Sequence, residues 1–373
     1  MNPAESRSTL PLRHRPWALL IALGVWLAAE SGYGQGQWQG MEEAEAAAAS
    51  SARPLHYWIT NTNTGGKGSE SEPVHDHLWD VFFWNREIGW ACGFGGVFQT
   101  RDGGWHWIRK KPRGGWYHLQ MTGPREIWLL EGVHGQPQAW LWHSTDDGRS
   151  WSEVLPGKLR SASDLVCRGN LRAVLCGDFT SFWSLDRGET WKPLPFTGVI
   201  RAAVPGDVRP EAGFIAYVLC AGGPQQPRAP QVFKSTDSGR SWKELVLFQG
   251  LPWPRTIFFS TSLEGWIGLE DGVLLATKDG GESWRRLPFP ERRAIQALWF
   301  DSLGRGYAAV ENSQLGRLGT AVFATSDGGQ TWRGLLDGAK NVNAFFSLGP
   351  DSVWGVGSVP GYVGNDLVVF FER

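Results

Sequence analysis

Six short stretches of this chain repeat an Asp carboxylate in one local pattern, and regularly repeated carboxylates are candidate metal ligands. Calcium takes about six to eight oxygen ligands, whereas each stretch offers one or two carboxylates. A tight turn explains the pattern better, because an Asp side chain accepts hydrogen bonds from nearby turn amides. We therefore predict a structural role and no metal site. The residues are Asp102, Asp146, Asp186, Asp237, Asp279 and Asp327.

The residues around each Asp support the turn. A Ser or Thr stands two residues before it, a Gly two residues after it, and a Trp three residues after the Gly, as in Thr100–Trp107. The Gly is expected to take a backbone conformation that other residues avoid. The Trp is expected to lie on the returning strand and to cover the turn with a large apolar face. The tryptophans are Trp107, Trp151, Trp191, Trp242, Trp284 and Trp332.

A second candidate chemistry lies between the repeats, where a Lys or Arg recurs shortly before the next unit begins. If the units close into a ring, these cations gather around one mouth of the central channel, opposite the Asp turns. Arg binds carboxylates in a bidentate manner, which predicts capture of an acidic or carboxylate-bearing peptide. A solvated loop face is the alternative. The assigned residues are Lys111, Arg113, Arg160, Arg201, Arg255, Arg293 and Lys340, with Lys158 and Arg292 beside them.

Other polar segments carry weaker signals. The sequence His75–Asp76–His77 has metal-ligand chemistry but lacks a clear third or fourth partner, so neither a metal nor a cofactor is assigned. Long loops that begin at Ala221, Glu311 and Ser358 are expected on the same face as the basic residues. Such loops either serve recognition or are neutral insertions.

The elements that position these residues are short strands. The first repeat predicts four antiparallel strands joined by tight turns. These strands are Leu78–Trp84, Gly89–Cys92, Val97–Thr100 and Trp105–Lys110. The turn tryptophans recur every 40 to 51 residues, a spacing typical of propeller blades.

The end of the chain indicates how the ring closes. After Trp332 only three strands are predicted, at 343–348, 353–356 and 367–371, so the lone strand 55–60 is expected to complete the last blade. We predict an all-β, seven-bladed propeller of four-stranded antiparallel blades over residues 55–373, because closure removes exposed sheet edges. A six-bladed ring with a separate N-terminal strand is the alternative.

The N-terminal segment is typical of an exported protein. Arg7, Arg13 and Arg15 precede an apolar run from Trp17 to Ala29, which predicts a secretory signal over residues 1–31. An uncleaved membrane anchor is the alternative. Residues 32–54 are rich in Ala and Glu and are expected to form a flexible linker.

Composition limits the class of partner. The chain of 373 residues has a formal net charge of −1, 23 Trp and 49 Gly, which gives no general attraction to nucleic acid and favours short strands with tight corners. Cys92, Cys176 and Cys220 occupy similar places in three repeats, as small buried hydrophobes do. Cys167 and Cys176 are near enough in sequence to share a hairpin, so a disulfide between them remains open.

The repeated turn matches the Asp-box, or BNR repeat, of several propeller families. Phe83, Gly89–Gly93, Gly95–Gly96 and Thr100–Trp107 follow the order seen in the photosystem II stability/assembly factor family, which residues 55–373 resemble. The resemblance implies an exported, non-enzymatic, seven-bladed protein that holds a protein segment during assembly of a membrane complex. We accordingly expect a monomeric, periplasmic or secreted protein-binding propeller, or one that is membrane-anchored and faces the periplasm.

Enzymatic relatives set the alternative function. Sialidases also carry Asp-boxes, and the alternative is a glycan-binding or glycoside-hydrolysing propeller of that type. Sialidase chemistry needs converging arginines, a Tyr nucleophile and an acid, and its first Arg stands in an Arg-Ile-Pro motif before the first box. In residues 32–99 only Arg53 and Arg86 occur, and neither precedes Ile-Pro. We predict no enzymatic activity, and the identity of the client, the photosynthetic status of the host and the choice between chaperone and permanent subunit stay open.

Overall fold

The computed structural model describes residues 56–60, 78–111, 114–132, 137–176, 180–195, 199–204, 216–220, 231–245, 250–311, 320–337, 341–349, 352–358 and 366–372. The predicted signal and linker lie outside these ranges. Within the described residues there is no helix with the length and hydropathy needed to span a bilayer.

The described chain is built from short strands. The first nine are β1 (His56–Thr60), β2 (Leu78–Phe83), β3 (Gly89–Gly93), β4 (Gly96–Thr100), β5 (Ile108–Lys111), β6 (Trp116–Gly123), β7 (Glu126–Gly132), β8 (Ala139–Ser144) and β9 (Ser152–Val154). The next eight are β10 (Ala162–Arg168), β11 (Leu171–Cys176), β12 (Phe182–Ser184), β13 (Lys192–Pro193), β14 (Val199–Ala203), β15 (Ala216–Cys220), β16 (Gln231–Ser235) and β17 (Lys243–Glu244). The remainder are β18 (Pro254–Phe259), β19 (Gly265–Leu269), β20 (Leu274–Thr277), β21 (Arg285–Leu287), β22 (Ile295–Phe300), β23 (Gly306–Val310), β24 (Thr320–Thr325), β25 (Arg333–Asp337), β26 (Asn341–Gly349), β27 (Ser352–Ser358) and β28 (Asp366–Glu372).

The strands assemble into four-stranded sheets. Six sheets consist of consecutive strands, and we number these blades one to six: β2–β5, β6–β9, β10–β13, β14–β17, β18–β21 and β22–β25. A further sheet has the order β1-β28-β27-β26, and we call it the C-terminal sheet. The predicted all-β propeller of four-stranded antiparallel blades is confirmed, and the leading strand lies beside the last strand as predicted.

The first strands of the blades form the centre of the propeller. Each one packs against the first strand of the next blade, from β2 through β6, β10, β14, β18 and β22 to β26. Strand β26 in turn packs against β2. Within the unit Ile59–Phe370 the C-terminal sheet therefore lies between blades six and one, and the circuit is closed.

The hydrophobic core lies between neighbouring blades. Second strands such as β3 and β19 are buried along their whole length, whereas the outer strand β21 begins with two exposed arginines. A strand buried on both faces needs a neighbour on each side. One such interface combines Leu78 and Phe83 of blade one with Trp354 and Val356 of the C-terminal sheet.

The Asp-box is a hydrogen-bonded turn between the third and fourth strands, as predicted. In blade four the Asp237 carboxylate accepts bonds from Ser235 Oγ at 2.9 Å and Ser241 N at 2.8 Å. Gly239 N donates to Ser235 Oγ at 2.7 Å, and Trp242 Nε1 donates to the Gly239 carbonyl at 3.1 Å. The Ser, Asp and Trp therefore bond within a single turn.

The turn is longer than the sequence prediction allowed in blade one. The fourth strand begins at Ile108 and not at Trp105. His106 N donates to the Asp102 carboxylate at 2.9 Å, and Trp107 Nε1 donates to the Gly104 carbonyl at 2.9 Å. These bonds hold both residues in the turn, so the Trp precedes the returning strand.

The glycine two residues after the box Asp contacts the preceding blade. Gly188 has a φ of +95°, and a Cβ placed there would lie 2.6 Å from Cη2 of Trp128 on blade two. Gly148 has the same relation to Trp90 of blade one, also at 2.6 Å. Only a residue without a side chain combines a positive φ with this approach.

Aromatic rings extend the contact between blades. Trp354 stacks on Phe83 with ring centroids 4.0 Å apart, and Tyr217 stacks on Phe259 at 3.6 Å. Each pair joins the second strand of one sheet to the first strand of the next. The ring of Phe83 also occupies the space where a Cβ at Gly89 would lie, at 2.4 Å. This contact explains why glycine begins the second strand.

All four cysteines are free thiols. Cys92, Cys176 and Cys220 are buried, which confirms that they act as small hydrophobes. In the β10–β11 hairpin Cys167 lies opposite Arg172 and Cys176 lies opposite Ala162. The two thiols therefore occupy different rungs of the ladder, and no disulfide joins them.

Replacing a box glycine should destabilise the fold more than replacing another glycine of similar φ. Gly157 has a φ of +68°, and nothing lies within 4 Å of the position that a Cβ would take, so Gly157→Ala should cost about 1 kcal/mol through strain alone. Gly188→Ala adds the overlap with Trp128 and should cost about 2 to 4 kcal/mol. Urea unfolding measures both. Equal losses would show that the blade contact does not restrict this position.

Candidate binding site

Each first strand carries a β-bulge near its beginning, and a bulge re-aims the side chains beside it. The register shifts lie at Leu78/Asp80, Trp116/His118, Ala162/Asp164, Val199/Arg201, Pro254/Thr256, Ile295/Ala297 and Val342/Ala344. We call the residues that follow the bulges the inner-strand rim. They are Asp80, His118, Asp164, Arg201, Thr256, Ala297 and Ala344.

Asp80 joins blade one to blade two across the rim. Its carboxylate accepts a bond from Val81 N at 2.8 Å within its own strand and from Leu119 N at 3.1 Å on the next blade. His118 Nδ1 lies 3.3 Å from the same carboxylate. Asp80 is 9% exposed, so these partners replace the hydrogen bonds that water would make to the buried carboxyl group.

Asp164 repeats this arrangement between blades three and four. Its carboxylate accepts from Leu165 N at 2.9 Å and from Ala202 N at 3.1 Å. Arg201 Nη1 lies 3.4 Å from Asp164 Oδ1 and 3.3 Å from His118 Nε2. His118 therefore lies between two carboxylates and one guanidinium group, with Nδ1 3.8 Å from Asp164.

Amide side chains make the corresponding links on the other side of the ring. Gln296 Nε2 donates to the Val342 carbonyl at 2.6 Å, which joins blade six to the C-terminal sheet. Asn343 Nδ2 donates to the Leu78 carbonyl at 2.6 Å, which joins that sheet to blade one. Polar bonds at the rim thus complement the apolar contacts between blades.

Arg201 is the predicted basic residue that lies in the rim itself. Its side chain is 32% exposed, and both of its contacts use Nη1. In the described part of the chain Nε and Nη2 of Arg201 make no hydrogen bond. This edge of the guanidinium group has the two parallel donors that a carboxylate binds.

Other predicted cations are paired with carboxylates. Arg255 lies 3.2 Å from Glu270 and 3.6 Å from Glu311, and Arg293 lies 3.1 Å from Glu291. Acidic side chains thus neutralise part of the predicted basic set. Glu270 and Glu311 follow second strands, whose ends lie on the face where the first strands begin.

Lys111 contacts the flank of blade two. Its ammonium lies 4.4 Å from the ring centroid of Trp142 and 5.0 Å from that of Trp151. Burial lowers the pKa of Lys111, and burial raises the pKa of nearby Glu131, which accepts a bond from Trp142 Nε1 at 2.7 Å. The Lys111 ammonium therefore contacts the faces of the Trp142 and Trp151 rings.

Some of the remaining predicted basic residues are exposed, and others lie outside the described residues. Lys158, Arg160 and Arg292 are exposed. Arg113, Lys340, His75–His77 and most of the three long loops lie outside the described residues. Binding through the assigned cations therefore stays a prediction, with Arg160, Arg201 and Arg292 as its described candidates.

The Asp-box carboxylates accept hydrogen bonds within their own turns. Bonds from Ser241 Oγ and Ser241 N lower the pKa of Asp237 to about 2, and bonds from Ser283 Oγ and Ser283 N do the same for the pKa of Asp279. In the described residues no group of three or more His, Cys, Asp or Glu side chains is placed to hold a metal ion.

Asp80 and Asp164 are two carboxylates at one site, as in a glycosidase, but their contacts do not suit glycoside hydrolysis. Both lie beside His118, at 3.3 Å for Asp80 and 3.8 Å for Asp164. Each oxygen already accepts a backbone amide bond, one from its own strand and one from the next blade. These contacts suit both residues to joining blades.

Sequence comparison locates the family resemblance. Residues 227–350 match the family model described as photosynthesis system II assembly factor YCF48. Part of the chain thus matches a known family. The match includes the Asp-boxes of blades four, five and six, and it supports the resemblance predicted from the repeats. No curated protein matches the chain in sequence.

Solved structures with the same fold come from several functional classes. A structure of YCF48 bound to D1 peptide is 17% identical with a TM-score of 0.61, and the match covers 85% of this chain and 95% of that one. YCF48 from Cyanidioschyzon merolae is also 17% identical with a TM-score of 0.61, covering 84% and 98%. The GH74 xyloglucanase from Xanthomonas campestris is 15% identical with a TM-score of 0.57, covering 83% and 53%. At these identities the likeness concerns the fold.

Acid should weaken the fold through the boxes. The folded pKa of Asp237 and Asp279 is about 2, below the usual value of about 3.9. Their stabilisation is therefore complete above pH 4 and is lost as the pH falls toward 2. Urea midpoints between pH 7 and pH 2 should fall mainly in this window. Ser241→Ala with Ser283→Ala should lower the urea midpoint at pH 7 and make the fall between pH 4 and pH 2 smaller, whereas Ser302→Ala, outside the boxes, should change neither.

Removing the Asp164 carboxylate should separate a structural role from a binding role at the rim. Asp164→Ala leaves two backbone amides without their acceptor and should cost about 2 to 4 kcal/mol of unfolding free energy. The exposed control Glu153→Ala should change stability by less than about 0.5 kcal/mol. Thermal and urea unfolding measure both. Comparable small losses would show that blades three and four do not depend on this carboxylate.

Proposed function

We propose that this protein is a non-enzymatic, exported, seven-bladed propeller that binds an acidic or carboxylate-bearing segment of a membrane protein and assists assembly or stability of its complex. The C-terminal sheet would be the seventh blade, completed by β1. The observation that carries the proposal is Arg201 at the inner-strand rim. Its Nη1 is held by His118 and Asp164, and its Nε and Nη2 make no hydrogen bond with the described residues.

The geometry favours carboxylate binding at this position. Arg201 is positioned by its contacts with His118 and Asp164, so little side-chain entropy is lost when a ligand binds. Arg160 and Arg292 are exposed on the same face, where long-range attraction increases the association rate of an acidic segment. A bidentate contact with Arg201 would then fix the segment.

The comparisons supply the class of partner. The family match over residues 227–350 and the likeness to a YCF48 structure with a bound D1 peptide support a protein segment as the ligand. The signal predicted from residues 1–31 supports export to the periplasm or outside the cell, or retention on the membrane facing the periplasm. The rim carboxylates accept backbone amides, which supports a binding role in preference to glycoside hydrolysis.

The client can be identified by photo-crosslinking from the rim. A photoreactive residue at Arg292 should crosslink a membrane protein in the native membrane. The control position is Lys278, on the opposite face, which carries the Asp-boxes and which we call the Asp-box face. Mass spectrometry of the product would also give the N-terminus of the mature chain, expected near Gly32. Equal crosslinking from both positions would argue against binding at the rim.

Replacement of the rim arginines should then weaken binding without unfolding the protein. Arg160→Gln with Arg201→Gln should reduce affinity for the crosslinked segment by about tenfold or more, because a charge-assisted bidentate contact is lost. Gln is preferred to Glu because Arg201 lies beside Asp164. The control Lys278→Gln with Arg285→Gln removes the same charge from the opposite face. Unchanged binding in the rim variant, at an unchanged melting temperature, would overturn the proposal.

A further inference from the structure

The Asp-box turn occurs in six copies, so the residue at each turn position can be compared between blades. Blade one has Trp105 where the other boxes have polar or charged residues. These are Arg149, Glu189, Arg240, Glu282 and Gln330. Blade one also has Ile108 directly after the box. The corresponding residues are Ser152, Lys192, Lys243, Arg285 and Arg333.

These two apolar side chains are exposed together with two others. Trp105 is 50% exposed and Ile108 is 64% exposed. Trp84, directly after the first strand of blade one, is 40% exposed, and Leu348, at the equivalent position of the C-terminal sheet, is 41% exposed. We call these four residues the box-one patch. Scattered single apolar residues are normal on a surface, but four on adjacent sheets form a candidate interface.

Hydrogen bonds hold the segments of the patch together. Gly103 N, in the box, donates to the Glu87 carbonyl at 3.0 Å, and Trp84 N donates to the Ile88 carbonyl at 2.9 Å. Trp354 Nε1, on the C-terminal sheet, donates to the Gly103 carbonyl at 3.3 Å. The box, the turn after Trp84 and the adjoining sheet are therefore fixed relative to one another.

The patch is surrounded by an excess of positive charge. Residues 84–88 and 101–110 contain four Lys or Arg and two Asp or Glu, whereas the corresponding residues 260–264 and 278–287 of blade five contain three of each. Arg109 lies over Phe98 at 5.4 Å and Lys110 lies over Trp90 at 5.7 Å, while Arg101 contacts Asp147. Blade one thus combines several exposed apolar residues with an excess of positive charge, whereas the corresponding residues of blade five have balanced charge and expose Leu263.

From this combination we infer that the box-one patch docks on the surface of an anionic lipid bilayer. Tryptophan is enriched at the membrane interface, where its ring is partly buried and partly hydrated. Apolar side chains that enter the headgroup region, with nearby Lys and Arg facing anionic lipid, are the usual elements of a peripheral membrane surface.

A second copy of the chain fits the patch less well. Two copies meeting patch to patch would bring their Arg86, Arg109 and Lys110 side chains together, and like charges oppose such contact. Lipid phosphates instead carry the complementary charge. The patch lies on the Asp-box face, opposite the face on which the first strands begin, so lipid contact leaves the rim accessible.

A site-specific label tests the inference on the full chain. An environment-sensitive fluorophore attached through Ile108→Cys reports contact of that position with lipid, and one attached through Arg285→Cys is the matched control in blade five. Labelling is selective because burial raises the pKa of the Cys167 and Cys220 thiols to about 12 and of Cys176 to about 11, and also raises that of Cys92.

With vesicles containing phosphatidylglycerol, emission at position 108 should shift to shorter wavelength, and emission at position 285 should not. Affinity for pure phosphatidylcholine vesicles should be about tenfold lower or more, since the attraction between cations and anionic lipid is lost. Because each label reports its own surroundings, vesicle binding through residues 17–29 cannot produce a shift confined to position 108.

A second experiment replaces apolar residues of the box-one patch with polar ones. Trp105→Gln with Trp84→Thr introduces residues found at the same positions of blades six and two, so the turns should tolerate them. The labelled variant should bind phosphatidylglycerol vesicles about tenfold more weakly. The inference is overturned by no shift at position 108, by equal shifts at both positions, or by a concentration-dependent dimer that the polar variant abolishes. Protein-free vesicles contain no client, so this result is independent of the proposed rim function.

Discussion

The structure depends on the contact between an aromatic side chain of one blade and the Asp-box of the next. Trp90, Trp128 and Trp354 come from second strands, and each reaches a box on the following blade, at Gly148, Gly188 and Gly103 respectively. A second strand buried on both faces is stable only when such a neighbour covers it. The box glycines must then have both a positive φ and no side chain, which explains why the turn sequence recurs so closely.

Departures from this contact show which part of it is essential. Blade three has Ala173 where the other second strands have an aromatic residue, and Trp183 from its third strand approaches Gly239 instead, at 3.1 Å from the position of a Cβ. The C-terminal sheet has no box, and Tyr307 of blade six faces Phe345 at 6.1 Å. An aromatic surface between blades is thus kept even where the strand or the turn that provides it changes.

The sequence predicted the features that are set locally. Each Asp-box, each run of four strands and the pairing of β1 with the last strand follow from turn chemistry and spacing. Asp80, His118 and Asp164 were missed because a single polar residue in a strand has the same pattern as a residue that faces water. Glu270 and Glu311 were missed as partners of Arg255 because only the assembled ring brings the ends of second strands beside the next first strand. Binding by the basic residues depends on a partner, so local turn chemistry and repeat spacing do not specify it.

Because the blades repeat, residues at equivalent positions can be compared, which separates residues needed for packing from residues available for binding. Equivalent rim positions hold Asp80, Asp164 and Arg201. Each acidic residue accepts one amide bond from its own strand and one from the next blade, whereas Nε and Nη2 of Arg201 make no hydrogen bond with the described residues. Equivalent box positions are polar in five copies and Trp105 in the other. Residues that follow the repeat are explained by blade packing. Arg201 differs from the two rim carboxylates and Trp105 differs from the equivalent residue of the other boxes, and these two residues place candidate contacts for a protein and for a membrane on opposite faces.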